Sequence, residues 1–199
     1  MQGNVGAWPF AQWGMDLLGP FPKAHGQMKY LIVAVDYFSK WIEAEPLATV
    51  TEAQVRKFTK KNIFTRFSLP ESIVTDHGKQ FDCKKFVEFC EDNGVVLRFS
   101  SVAYPQANGQ AEAANKSILH GLHTRLAGAK GKWVEELPNV LWAHRKTYKT
   151  VTGETPFALT YGSEAVIPVE STSQVTALSS TTQTTMTRQG PTNWTWQTR

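Results

Sequence analysis

The stretch Ile73-Val74-Thr75-Asp76-His77-Gly78 carries an acidic residue where an apolar run meets a glycine turn. This pattern predicts a short strand that ends at Asp76. Upstream lies the stretch Trp13-Gly14-Met15-Asp16-Leu17-Leu18, in which the large apolar Trp13, Met15 and Leu17 occupy every second position. This alternation predicts a strand that contains Asp16. Each of the two predicted strands therefore brings one carboxylate.

A third carboxylate lies in Pro105-Gln106-Ala107-Asn108-Gly109-Gln110-Ala111-Glu112, which predicts a loop entering a helix. Carboxylates that lie within a few ångströms repel each other, so a cluster of them is tolerated mainly when a cation neutralises it. Mg²⁺ prefers oxygen ligands. If they converge, Asp16, Asp76 and Glu112 are suited to hold two divalent ions that act on a phosphodiester by in-line displacement.

Each acid also has an ordinary explanation. A Thr-Asp-His-Gly turn is common, and a glutamate in a first helical turn simply favours the helix dipole. Asp36 is a rival for the first acid because it too ends an apolar run. We interpret Asp36 as a turn residue that hydrogen-bonds nearby backbone.

Around these stretches the sequence predicts an alternation of strands and helices. Residues 30–35 and 41–47 form an antiparallel meander with the strand at Asp16, and further strands are predicted at residues 72–75 and 95–99. Helices are predicted at residues 51–67, 81–92, 108–127 and 133–148, with a break or restart at Pro138. This order is that of a ribonuclease H-like α/β fold, with a five-stranded mixed sheet flanked by helices.

Composition predicts one folded domain with short flanking segments. We expect a leader or linker at residues 1–9, the domain at residues 10–165, and a disordered tail at residues 166–199, since 14 of residues 171–199 are Ser or Thr and none is acidic. A net charge of +4 permits a polyanionic partner. No apolar run is long enough to cross a membrane, and no targeting segment is identified. The two cysteines, Cys83 and Cys90, suggest no disulfide framework and are expected to be reduced, as in an intracellular protein.

The residues that flank the acids resemble a known family, the integrase catalytic core of gypsy-type long-terminal-repeat retrotransposons. The resemblance covers roughly residues 8–170 and rests on several blocks in the same order. These blocks are residues 13–22 (WGMDLLGPFP), 35–41 (VDYFSKW), 73–78 (IVTDHG), 104–112 (YPQANGQAE), 141–145 (LWAHR), 155–159 (TPFAL) and 161–162 (YG).

The resemblance implies a polynucleotidyl transferase that carries out DNA 3′ processing and strand transfer. It implies Mg²⁺ or Mn²⁺ as the cofactor, with two ions expected when DNA is bound, and makes Asp16, Asp76 and Glu112 the catalytic, metal-binding triad. The implied partners are the element's DNA ends and target DNA, together with further copies of the chain in a homodimer or higher oligomer. Action on chromosomal DNA implies a nuclear location.

The chain departs from the family pattern in two ways. His77 stands where the family usually has asparagine, and no upstream His/Cys zinc module or downstream DNA-binding region matches. The chain therefore reads as a fragment of a polyprotein. Two alternatives stay open: a truncated, inactive remnant that retains nucleic-acid binding or self-association, and a structure-selective nuclease of the same fold.

Three further residues are candidates for DNA contact. Lys116 lies one helical turn after Glu112 and would grip a phosphate near the metals, although a helix-stabilising Glu-Lys pair explains the same spacing. Tyr104 and Asn108 would stack on or hydrogen-bond an unpaired terminal base, or else belong to a plain surface loop. The basic helix at residues 52–67 more often indicates a solvated face than a DNA-binding one.

Overall fold

The computed structural model describes residues 8–100, 105–125, 132–166, 184–188 and 194–198. Within the helix at 105–125, the side chains of residues 105–110, 112, 123 and 125 lie outside that description. The chain divides into two compact units, Met1–Glu164 and Ala165–Arg199. The first unit contains both aspartates and the helix of Glu112.

A five-stranded sheet lies at the centre of the first unit, in the spatial order β3-β2-β1-β4-β5. β1 pairs antiparallel with β2, and β2 antiparallel with β3, whereas β4 is parallel to both β1 and β5. The strands are β1 (Gln12–Leu18), β2 (Tyr30–Asp36), β3 (Ile42–Leu47), β4 (Ser72–Thr75) and β5 (Val96–Phe99). The predicted meander and the predicted mixed sheet are confirmed.

Six helices of the described residues flank this sheet. They are α1 (Glu52–Phe58), α2 (Thr65–Phe67), α3 (Lys84–Asp92), α4 (Pro105–Arg125), α5 (Trp133–Lys146) and α6 (Pro156–Tyr161). A π-helical segment, Thr59–Phe64, joins α1 to α2 without a gap, so residues 52–67 form one uninterrupted helical stretch, as the sequence predicts. Thr51 caps its start, accepting a hydrogen bond from the Gln54 amide.

The two faces of the sheet bury two separate clusters of side chains. On one face, Val33 and Val74 pack with the apolar face of α4, whose buried members are Ala111, Ala114, Ile118 and Leu122. On the other face, Trp13, Met15 and Ile73 pack with α1 and α3. Since side chains alternate along a strand, Gly14 and Asp16 lie on the face that α4 covers.

The structure corrects three predicted helix boundaries. α3 begins at Lys84 rather than residue 81, because Gly78 O accepts from the amides of Phe81 and Asp82 in a turn that precedes it. α4 begins at Pro105 rather than residue 108, since proline suits a first helical turn, where its missing N–H has no partner to lose. α5 runs unbroken past Pro138, which lies on its exposed side, and ends at Lys146 rather than residue 148.

The second unit contains two paired strands in the segment for which composition predicts disorder. β6 (Thr184–Arg188) and β7 (Trp194–Thr198) pair antiparallel. Both are rich in threonine or tryptophan, which favour strands. The predicted domain limits themselves stay predictions. In the described part of the chain, no helix is both long and apolar enough to cross a membrane.

Candidate active site

The parallel pairing of β1 with β4 sets the positions of the two aspartates. Gln12 pairs with Ser72, and Gly14 pairs with Val74. Continuing that register by two residues brings Asp16 level with Asp76, which directly follows β4. Two residues also preserve the face, so both positions belong to the side of the sheet that α4 covers.

The Asp16 carboxylate is held by two hydrogen bonds. One comes from the Leu17 amide at 2.7 Å, and the other from the side-chain amide of Asn115 at 2.6 Å. Asn115 lies on α4 and is buried. The helix that carries Glu112 is thus tied directly to the strand that carries Asp16.

Asn115 is a site residue that the sequence reasoning missed. It follows Glu112 by three residues, a spacing that places both Cα atoms about one helical turn apart, and that spacing was the available signal. The side chains of Glu112 and Asn108, and the whole of Tyr104, lie outside the described residues. The predicted roles of these three residues stay predictions.

Asp76 is exposed and is held by a tight turn. Its Oδ1 accepts from the Gly78 amide at 3.0 Å. A Cβ at Gly78 would lie 2.9 Å from that same oxygen and closer still to Gln80 Nε2, so a larger residue there would displace these two side chains. The neighbouring His77 points its ring onto Phe99, 4.7 Å between centroids, and places Nδ1 3.1 Å from Asp82 Oδ2. His77 is therefore packed against β5 beside Asp76.

The donor chemistry of these residues fits a hard divalent cation. Asp16 and Asp76 offer carboxylate oxygens, and the Oδ1 atom of Asn115 is buried without a hydrogen-bond partner among the described residues. An oxygen-rich site is what magnesium prefers. The described side chains include no group of three His, Cys, Asp or Glu able to hold a metal, and the Glu112 side chain is not among them.

Asp36 is the turn residue that we interpreted it to be. Its buried carboxylate accepts from the Phe10 amide at 3.0 Å and from both the amide and the hydroxyl of Ser39, at 2.7 and 2.6 Å. Burial raises the pKa of Asp36, and these hydrogen bonds oppose the rise. The carboxylate is fully engaged in holding the β2–β3 connection and the start of β1.

The other basic candidates divide into paired and exposed residues. Lys116 is exposed on α4. On the helix at 52–67, the described ion pairs are Arg56–Glu52, Lys61–Glu45 and Arg66–Glu43. Lys57 and Lys60 are exposed. Much of this positive charge is therefore balanced within the fold.

The sequence is similar to one protein-family model and to viral polyproteins. Residues 7–105 match the family model described as integrase core domain. The chain is 30% identical over 161 residues to the Pro-Pol polyprotein of Simian foamy virus type 3, and 34% identical over 157 residues to the Gag-Pol polyprotein of Avian reticuloendotheliosis virus. Those alignments cover 80% and 79% of this chain but 14% of each polyprotein.

Solved structures share the fold. The simian T-cell lymphotropic virus intasome in complex with PP2A regulatory subunit B56 gamma gives a TM-score of 0.69 at 20% identity, covering 83% of this chain and 59% of that one. The HTLV-2 integrase catalytic core domain in complex with magnesium gives 0.62 at 21% identity, covering 77% and 98%.

These findings define the class of fold: a mixed five-stranded sheet flanked by helices, the ribonuclease H-like fold of integrase catalytic core structures. Within that class, the chain belongs to the retroviral-type integrase core family.

Proposed function

We propose that this chain is the catalytic core of a retrotransposon integrase of the gypsy type, which carries out DNA 3′ processing and strand transfer. The observation that carries the proposal is the register of β1 and β4, which brings Asp16 level with Asp76, while Asn115 ties α4 to Asp16. An integrase core needs acids from these three elements at one place.

In this proposal Asp16, Asp76 and Glu112 hold two Mg²⁺ or Mn²⁺ ions. When bound, such ions polarise a phosphodiester and activate the attacking water or 3′ hydroxyl. The protein's own contribution is to orient the ligands. Asn115 fixes the rotation of the Asp16 carboxylate, and the Gly78 amide fixes that of Asp76. Ligands that are held in this way need little rearrangement when a metal binds.

The proposed partners are the element's DNA ends, target DNA and further copies of the chain. Support comes from relatives: the HTLV-2 core is described in dimeric and trimeric forms, and the T-cell lymphotropic virus protein in an intasome. Lys116, Asn108 and Tyr104 are proposed to contact the DNA end. A nuclear location during integration completes the proposal.

A disintegration assay tests the chemistry with the core alone. A branched DNA substrate is incubated with Mn²⁺ and the wild-type chain, Glu112→Gln, Asp76→Asn, or the matched control Glu91→Gln on exposed α3. We expect product from the wild type and the control, and at least a ~10²-fold loss in both site variants, because each removes a metal-binding carboxylate.

Full activity in either site variant would remove the triad from the proposal. No product from any folded variant, with DNA binding retained, would identify the inactive remnant instead. Circular dichroism of each variant shows whether the fold is intact.

A further inference from the structure

A cavity of about 300 Å³ lies on the flank of α4. Its polar lining comes from three separate places: Lys40 after β2, Ser117 on α4, and His144 with Lys149 at and beyond the end of α5. Apolar groups supply the remaining wall, namely Val35, Ala113, Ala114 and Val151. Val151 is 84% exposed, so the cavity opens to solvent beside it.

The hydrogen bonds of His144 fix the state of its ring. Nε2 lies 3.1 Å from the Lys40 carbonyl oxygen, which only accepts, so Nε2 carries the proton. Nδ1 is then an acceptor, and it lies 3.0 Å from the Ser117 hydroxyl and 3.3 Å from the Lys149 ammonium. Burial, assisted by the charge of Lys149, lowers the pKa of His144 to about 4, in agreement with a neutral ring.

This arrangement orients the Lys149 ammonium without neutralising its charge. Lys149 is half-buried, and burial lowers its pKa, while its partner among the described contacts is a neutral imidazole nitrogen rather than a carboxylate. An ammonium has three donors, so hydrogens remain after one bond to Nδ1. Lys40 lines the same cavity, with its ammonium bonded to the Tyr37 carbonyl and attracted by Asp36. The positive charge at the cavity thus exceeds the negative charge that the described residues bring to it.

We infer that this cavity is a binding site for a phosphate group carried on a deoxynucleotide. The ammonium groups of Lys40 and Lys149 contact the phosphate, and the apolar wall packs against the sugar. Two ammonium groups, each a point charge with rotatable donors, suit a tetrahedral anion, whereas a planar carboxylate is matched best by an arginine fork. The phosphate comes either from a DNA strand, a source that rests on the proposed function, or from a free nucleotide.

Calorimetric titration of the whole chain tests the site. The probes are thymidine monophosphate, inorganic phosphate, thymidine and a short oligothymidylate, all with EDTA present so that no metal at the triad contributes. Thymidine monophosphate is expected to bind, and thymidine is not. Lys149→Gln should weaken the binding about tenfold or more, since a charge-assisted contact is lost. The control Lys85→Gln, an exposed lysine on α3, should leave the affinity unchanged.

A second variant tests the same site independently, in case Lys149→Gln does not fold. Val151→Glu changes an exposed side chain at the mouth of the cavity and should repel the phosphate to a similar extent. Equal affinity in wild type, Lys149→Gln and Val151→Glu would overturn the inference. So would binding of thymidine as tight as that of its monophosphate, or an equal loss in Lys85→Gln.

The oligothymidylate separates the two sources of the phosphate. If it binds and loses affinity in Lys149→Gln, a DNA strand occupies the site. If only the monophosphate and inorganic phosphate bind, the ligand is free in solution. The titration requires no catalysis, so an inactive chain that still binds thymidine monophosphate would sink the proposed function and leave this site standing.

Discussion

At the scale of single residues, Asn115 is the contact that links α4 to the first aspartate. Asn115→Ala removes the donor to Asp16 Oδ2 and leaves the Leu17 amide on Oδ1, so the carboxylate is less firmly oriented. Loss of a residue that orients a metal ligand typically lowers activity or metal affinity 10- to 100-fold. We therefore expect a loss of roughly that size in disintegration activity, partly recovered at high Mn²⁺. Asn139→Ala, on exposed α5 surface, is the control; equal rates for the two variants would contradict the role.

Substitution of Lys116 is expected to change DNA affinity rather than metal binding, because Lys116 is predicted to contact DNA. Lys116→Ala should weaken binding of DNA ends and reduce the slope of log affinity against log salt by about one. Fluorescence anisotropy at several salt concentrations measures both quantities. Lys85→Ala serves as the control, and a Lys116→Ala slope that matches it would reduce Lys116 to a helix-stabilising residue.

The positions of Asp16 in β1 and of Asp76 directly after β4 were predictable from sequence, because the residues that flank each acid determine the local structure. Their role as metal ligands stays a prediction. The cavity on the flank of α4 was missed, because its contacts join distant segments: His144 meets the Lys40 carbonyl across 104 positions. No local pattern around Lys149 indicates that its ammonium faces an imidazole.

At the scale of elements, α4 and α5 approach closely at Gly121. A Cβ on Gly121 would lie 2.7 Å from a methyl group of Val140. We expect Gly121→Val to lower the free energy of unfolding by about 1–3 kcal/mol, the usual range for an overpacked contact. His120→Val, exposed on the same helix, controls for the weak helix propensity of valine.

The double variant Gly121→Val/Val140→Ala should lose less stability than the sum of the single changes, because the smaller alanine makes room. Urea unfolding of all four chains measures this coupling. If the losses in free energy of unfolding are strictly additive, Gly121 and Val140 do not interact across the contact between α4 and α5.

Elements were predicted better than their ends. The periodic patterns located all five strands of the sheet and the long helices. The start of α3 at Lys84 depends on turn hydrogen bonds at Gly78, which belong to the assembled fold. The start of α4 at Pro105 follows instead from the preference of proline for a first helical turn, which apolar periodicity does not reveal.

At the scale of the whole molecule, His144 makes stability depend on pH. Its pKa is about 4 in the folded chain against 6.5 for the free side chain, so the unfolded state binds more protons between these values. Stability is therefore complete above pH 6.5 and falls as the pH drops towards 4. The loss should reach about 2 kcal/mol at pH 5.

His144→Asn should flatten this dependence, since an amide does not titrate. His25→Asn, which changes an exposed histidine, should keep it. Thermal or urea unfolding between pH 7.5 and 5 gives the comparison. An unchanged slope in His144→Asn would mean that other groups cause the acid sensitivity.

The overall architecture was predictable because the order of strands and helices permits few topologies. The three-strand meander and the neighbouring positions of β1 and β4 follow from that order. The paired strands at residues 184–188 and 194–198 did not follow, because a Ser/Thr-rich composition hides the β propensity of their threonines and tryptophans.

The register between β1 and β4 also decides which changes in length the molecule tolerates. Inserting or deleting one residue within residues 12–16 or 72–76 would turn an aspartate to the opposite face of the sheet. The connection from Asp76 to α4 contains α3 and β5, and β5 pairs in register with β4, so a change in length within β5 would shift that pairing in the same way. Changes in length that leave both aspartates on the α4 side of the sheet are therefore expected in the loops that join β1 to β2, β2 to β3 and β3 to α1, while the strand segments around the aspartates keep their length.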